Sequence, residues 1–296
     1  MSTSIDTSFI RQYERDVHMI FQREGGYLRP TVRMKTDIRG SSTTFQKIGK
    51  GVATTKARHG VITPMNQDHT AIQCTLEDFY AADYVDKLDE AKINHDERMA
   101  IAKGGAWALG RKVDNQIITI LDTTTESSVT VTVTSSAAAR NGLLTGVRDI
   151  HDNDVANDGM LYALLTPTLW AIAMTVEEFA SADYVGANGQ SFVSGFEGQG
   201  KWKDWMGIKW AYHTDLPGKG TATAKSFIWH KNAVGFATGA HPQNAANSES
   251  VGADVWWDGG RQAHLITHSM SGGACLIDTT GVIELNSDDT AAIPTS

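Results

Sequence analysis

Cysteine is scarce in this chain. Cys74 and Cys275 are its only 2 cysteines in 296 residues. Two thiols cannot build a disulfide framework, and neither belongs to a Cys-x-x-Cys pair. A reduced, cytoplasmic site of synthesis is therefore expected. Proline is also rare, 6 against 28 glycines, which marks a loop-rich chain with few rigid turns. No apolar run approaches the ~20 residues that cross a bilayer. The start, Met1 to Asp6, lacks the apolar core of a secretory signal, so no membrane role is expected. Positive charge is in deficit: Lys plus Arg total 26, Asp plus Glu 34, and the net charge is −8. An acidic chain is poorly suited to gripping nucleic acid by its phosphates.

Catalytic patterns are missing too. Thr267-His268-Ser269-Met270-Ser271 has the outline of a hydrolase elbow, but that strained turn needs glycine two places either side of the serine. Asp152 to Gly159 is carboxylate-rich, yet Ala156 and Asn157 stand where a calcium loop needs an oxygen ligand and a glycine. It reads as a solvated helix end. The 10 histidines make no His-Glu-x-x-His motif and no metal pair with cysteine. No phosphate loop or dinucleotide fingerprint occurs. No enzymatic activity, metal or cofactor is expected. Of the 8 tryptophans, four lie between Trp202 and Trp229, where they read as strand and core packing. A carbohydrate or base-stacking platform is the competing use.

What is present is ordinary globular material, 41% apolar and 20% charged. The length suits two domains or one large irregular one. Phe9, Tyr13, Val17 and Ile20 repeat at helical spacing, and Gly25-Gly26 closes that arm. Residues 31–75 are different. They carry Arg33, Lys35, Arg39, Lys47, Lys50, Lys56 and Arg58 against Asp37 and Asp68. Helical periodicity is absent, and Phe45, Ile48, Val52, Val61 and Ile62 scatter as in a long two-stranded hairpin. A lone hairpin is marginal in water. Such an excursion is stabilised by lying on another surface, and an acidic patch on a second copy of this chain fits its charge. Few core contacts are expected over residues 40–60.

The strongest periodicity follows. Asn94 and Glu97 have capping-box spacing. Met99, Ala102, Ala106, Leu109, Val113, Ile117 and Ile120 then form one apolar stripe. A helix over 94–121 would be ~42 Å long, a strut rather than a typical helix. Beyond it, Val129, Val131 and Val133 alternate as a strand, and residues 135–142 read as loop. Leu144, Val147 and Ile150 suggest a helix. Met160 to Leu165 reads as a strand and Leu169 to Met174 as a helix. Gly186 to Gly200 reads as loop or hairpin, and Trp205 to His213 as one strand. Phe227 to Trp229 is strand-like, and Asn232 to Ala237 is expected to turn helical. Residues 239–250 are polar and loop-like. Two short strands are expected across Ala274 to Leu285, about Thr280-Gly281.

Several segments match in order a known family. They are Asp83-Tyr84-Val85-Asp86, Asp96-Glu97-Arg98, and Ala108 through Ile117. After them come Leu165-Thr166-Pro167 with Leu169-Trp170, Tyr212 through Gly218, Gly273 through Asp278 and Gly281 through Leu285. The sequence resembles the major capsid proteins of tailed double-stranded DNA bacteriophages, the Hong Kong 97-type fold. The resemblance covers nearly the whole chain. It implies an α+β fold with an N-terminal arm (1–30), an extended β-hairpin loop (31–75), and a peripheral domain (76–134) holding a spine helix at 94–121. An axial domain (135–265) and return strands with a tail (266–296) complete it. It further implies a shell of hexamers and pentamers enclosing DNA in a virion, assembled in the host bacterial cytoplasm. The basic residues of 31–75 become inter-subunit contacts. Only about 30 residues precede the loop, so a separate scaffolding protein is implied, with a portal and a possible decoration protein as further partners. Two other readings stand beside it: an encapsulin-type nanocompartment shell, and a tryptophan-rich carbohydrate-binding module.

Overall fold

The computed structural model describes residues 26–86, 97–180, 202–240 and 251–294. The expected arm helix, Asn94, and the segments 186–200 and 241–250 lie outside them. Helix α1 spans Glu97–Leu121. Its apolar stripe buries Leu109, Val113 and Ile117, joined by Ile118 and Leu121. The stripe is narrower than its period suggested. Ala102 and Ile120 are half-buried, Ala106 is exposed, and the side chain of Met99 lies outside the description.

The strands, in chain order, begin with β1 (Arg33–Ile38), β2 (Ser42–Ile48), β3 (His69–Thr75) and β4 (Glu77–Asp86). Next come β5 (Val129–Val131), β6 (Leu161–Leu165), β7 (Lys203–Trp205) and β8 (Ile208–Tyr212). The series ends with β9 (Ala224–His230), β10 (Val234–Gly239), β11 (Val251–Asp258), β12 (Ala263–Leu276) and β13 (Val282–Ser287). Three further helices are α2 (Ser136–Asp152), α3 (Pro167–Ala173) and α4 (Glu177–Ala180).

Two sheets share α1. In the first, the 14-residue β12 is central. It pairs antiparallel with β4 on one edge and with β10 and β11 on the other, and β1 joins β10 in parallel. The second sheet has strand order β5-β13-β9-β6-β8-β7. Alternation along β9 explains its two coats. Phe227 and Trp229 join the cluster around Leu109, Val113 and Ile117 of α1. Ile228 faces the other way, into a cluster with Leu143, Val147 and Ile150 of α2. The α1 cluster also takes Phe236 of β10 and Met270 of β12, so one helix is the inner wall of both sheets. At its C-terminal end, Lys225 holds Asp122 at 2.7 Å and Glu284 at 3.1 Å, and these two carboxylates keep its ammonium above its usual range.

Besides the link from β4 to β5 through α1, the chain passes between the sheets twice more, side by side. β9 leads to β10 through Lys231–Ala233, and β12 leads to β13 through Thr279–Gly281. The backbone N–H groups of Ile277 and Asp278 both donate to the Ala233 carbonyl. Four expectations are corrected here. Residues 135–142 begin α2: the Ser135 hydroxyl accepts from the Ala138 N–H (3.2 Å), and the alanines that follow are strong helix formers. Trp205 to His213 is a hairpin rather than one strand, because Met206 and Gly207 adopt positive φ (53° and 76°) between β7 and β8. Asn232 to Ala237 is mostly β10, held by ladders on both sides. The first closing strand runs from Ala263, far longer than expected. It also carries Thr267 to Ser271 in an extended ladder, where no elbow turn exists. Within 135–265, β10 and β11 hydrogen-bond into the first sheet and β6 to β9 into the second.

Trp205, Trp210 and Trp229 are buried, and Trp202 packs edge-on against Tyr27 and Tyr162. These tryptophans build core, and a sugar-binding platform is not favoured.

Candidate assembly site: a hairpin seated on glycine

Strands β2 and β3 form an antiparallel ladder from Ser42↔Thr75 to Ile48↔His69. The base of this hairpin sits on the first sheet. Phe45 is fully buried in a small cluster with Cys74, Ala237, Cys275 and Ile277. Two glycines make the room. A Cβ added at Gly235 would stand 2.9 Å from the Phe45 ring, and one at Gly273 would stand 2.0 Å from the Thr75 carbonyl oxygen. Neither position tolerates a side chain unless the hairpin lifts. Residues 40–60 thus include a core anchor, contrary to the expectation of few contacts there.

Several basic residues of 31–75 serve their own chain. Arg33 and Lys35 project from β1 and cover the Phe45 ring at 5.8 and 4.9 Å. The Arg33 guanidinium donates to the Gln46 carbonyl and the Lys35 ammonium to the Thr44 carbonyl. Lys47 pairs with Asp278 at 2.7 Å. Burial alone would raise the Asp278 carboxyl, but the Lys47 ammonium and the Thr280 hydroxyl outweigh it and hold Asp278 below the usual range. Lys50 meets Asp154 at 2.9 Å, with both side chains largely in water. Arg39, Lys56 and Arg58 stand exposed, and no ion pair holds them among the described residues.

Past Ile48 the hairpin loses its support. From Gly51 to Thr70 every residue is exposed, including Val52, Val61 (92%) and Ile62. One hydrogen bond closes its neck, Gly49 N–H to Asp68 O at 2.8 Å, and one turn folds its end, Gly60 N–H to Ala57 O at 2.9 Å. The seven basic candidates divide accordingly: Arg33, Lys35 and Lys47 at the base, Lys50 at the neck, Lys56 and Arg58 on the tip, and Arg39 between β1 and β2.

Sequence reasoning missed the second anchor. Asp114 on α1 is fully buried. Its carboxylate accepts the backbone N–H groups of Gly26 and Leu28, each at 3.1 Å. The Asp215 N–H donates to His213 Nδ1 (3.0 Å), which leaves the ring proton on Nε2, 3.7 Å from Asp114. The segment leading from residue 26 toward the hairpin is thereby tied to the spine. A carboxylate one place from the stripe residue Val113 was the available signal.

A spine helix walling two sheets, with a seated hairpin that throws a naked tip into solvent, defines a structural subunit of the phage-head kind. Solved capsids bear this out for the fold. The capsid of the cyanophage P-SCSP1u superposes with a TM-score of 0.73 at 14% identity, covering 98% of this chain and 96% of the other. The capsid of Ralstonia phage GP4 gives 0.67 at 10% identity, with 97% of each chain covered. The capsid of a native GTA particle gives 0.67 at 13%, again covering 97% of each. No curated protein matches in sequence. The family model described as "Phage capsid protein" matches residues 5–289, and the chain belongs to that family. It is a structural major capsid protein, its place is the virion capsid, and the role this family implies is structural rather than enzymatic.

Proposed function

We propose that this chain closes into hexamers and pentamers of an icosahedral head around double-stranded DNA, with its hairpin tip lying over a neighbouring copy. One observation carries this reading: a tip of about 20 residues that is wholly exposed, rich in unburied Val and Ile, and fixed at its root by a buried phenylalanine. A segment anchored so firmly and packed so little is completed by another surface. Strand β4 offers one of the right sign, for Glu77, Asp78 and Asp83 are exposed along it beside Tyr80. Lys56 and Arg58 of one copy are matched to that acidic edge on the next. In this arrangement the first sheet with α1 forms the peripheral part of the subunit and the second sheet the axial part. Arg39 and the hairpin base flank the contact. The net negative charge suits a container that must let its genome move.

Further partners follow from the same reading: a scaffolding protein made separately, a portal, and a decoration protein on the outer face, with assembly in the host bacterial cytoplasm. The test is expression with and without the scaffolding protein, followed by light scattering and electron microscopy. Closed particles or hexamers are expected. A monomer under every condition overturns the reading. Lys56→Glu with Arg58→Glu should stop assembly, and acid-to-base changes at Glu77 and Asp78 should restore it in part.

A further inference from the structure

The two cysteines lie far apart in the sequence, yet the fold brings them together. Cys74 lies one place before the end of the hairpin strand β3, and Cys275 lies near the end of β12 in the central sheet. Both are free and buried, and both belong to the small cluster that seats Phe45. Each thiol lies close enough to the other to shift its titration. The backbones are already close, because Thr75 beside Cys74 passes over Gly273, two places from Cys275. Gly235, the register partner of Cys275, has no side chain to crowd the sulfur; an added Cβ would stand 3.1 Å from Sγ. The pair thus sits at the joint between the hairpin and the body it stands on.

We propose that Cys74 and Cys275 form an oxidisable dithiol, which a small-molecule disulfide or azo oxidant converts to an intrachain disulfide stapling the root of the hairpin to β12. The Cys74 thiolate attacks one sulfur of a low-molecular-weight disulfide, forming a mixed disulfide and releasing one small thiol. Cys275 gives up its proton and attacks the Cys74 sulfur, releasing the second small thiol. Two protein thiols are oxidised and one small disulfide is reduced to two thiols, so electrons and protons balance. The neighbouring Cys275 holds the Cys74 thiol below its ordinary range, and the Ala237 backbone adds to this against the cost of burial. Cys275, beside Cys74 and desolvated, is pushed well up. Attack falls to the thiolate, so Cys74 reacts first. Closing the bond brings the two sulfurs to ~2.05 Å.

The staple adds a covalent tie where the hairpin root is otherwise held by packing and by the Lys47–Asp278 pair. In a reducing cytosol the pair stays open, and in an oxidising medium it closes. On the shell reading, the hairpin would be free to dock during assembly and fixed after release. The chemistry itself does not depend on that reading, because it is measured on the chain alone.

The experiment oxidises the purified full-length chain, still folded, with oxidised glutathione or diamide. The chain is then denatured and alkylated, and its intact mass and peptide map are recorded. Loss of both alkylation sites is expected, with one crosslinked peptide joining Cys74 to Cys275 and no dimer on a non-reducing gel. Amide exchange across residues 42–48 and 69–75 should slow at least tenfold on oxidation and recover with dithiothreitol. Cys74→Ser and Cys275→Ser should each abolish that slowing. Should either variant misfold, the wild-type crosslink decides alone. Persistence of both thiols in the folded chain overturns the proposal, as does a stable glutathione adduct that never resolves, or crosslinking only between chains.

Discussion

Excising the tip separates folding from assembly more cleanly than any point change. Ile48 and His69 are register partners at the last rung of the hairpin. Replacing residues 49–68 with Asn-Gly therefore supplies the two-residue turn that such a rung prefers. The magnitude follows from what the excised part touches. Its residues are exposed, so little apolar burial is lost. The Lys50–Asp154 pair disappears, but an ion pair this open contributes ~0–1 kcal/mol. Shortening a loop from about 20 residues to two lowers its closure entropy, by roughly 2 kcal/mol on the (3/2)RT ln n scaling. The balance is a gain of about 1–2 kcal/mol, or a few degrees in Tm for a chain of this size. Circular dichroism and a calorimetric melt should show a native subunit, equal or slightly higher in Tm. Electron microscopy should show no particles. A variant that melts several degrees early, or that still closes into shells, would refute the reasoning. A deletion spanning 40–60 is a poorer probe, since it removes Phe45 and unseats the hairpin root.

Three further outcomes are expected. Asp114→Ala strands the buried Leu28 N–H and the half-buried Gly26 N–H and should cost about 2–5 kcal/mol in a urea titration, whereas Asp114→Asn, which keeps an acceptor, should cost less; a loss under ~1 kcal/mol would contradict the anchor. Leu109→Asp places an unpaired charge in the wall shared by both sheets and should prevent folding, read as loss of the far-ultraviolet signal, in contrast to the tip excision. The depressed carboxyl of Asp278 gives stability that is present above the ordinary carboxylate pKa of ~3.9 and lost as pH falls through the lower folded value. Exchange at the hairpin root should therefore quicken below about pH 4, and Lys47→Met should weaken that dependence; an unchanged profile in Lys47→Met would remove Lys47 as the cause.

Much of the architecture was legible where one period persisted. The stripe from Leu109 to Ile117 marked α1 because a wall between two sheets needs apolar residues at every turn on one side. Val129 and Val131 were legible for the matching reason in strands. The misreadings share a cause. Gly235 and Gly273 are ladder residues kept bare so that Phe45 and Thr75 can approach. Asn232 to Ala237 has weak local preference, and its strand character comes from two neighbours distant in sequence. Three of the basic candidates, Arg33, Lys35 and Lys47, turned inward for a reason no composition reveals: Phe45 supplies a ring for two cations and Asp278 a counter-charge for the third. Asp114 and the cysteine pair depend wholly on contacts made across the chain.

The doubly shared wall has a consequence for how this molecule comes apart. Leu164, Phe227 and Trp229 press on α1 from one side, and Phe236 and Met270 press on it from the other. Neither half owns a complete interior, so neither can survive dissection as a fragment. Heating should give a single calorimetric peak, with equal van't Hoff and total enthalpies. Limited digestion should nick the projecting tip long before it frees any piece able to stand alone.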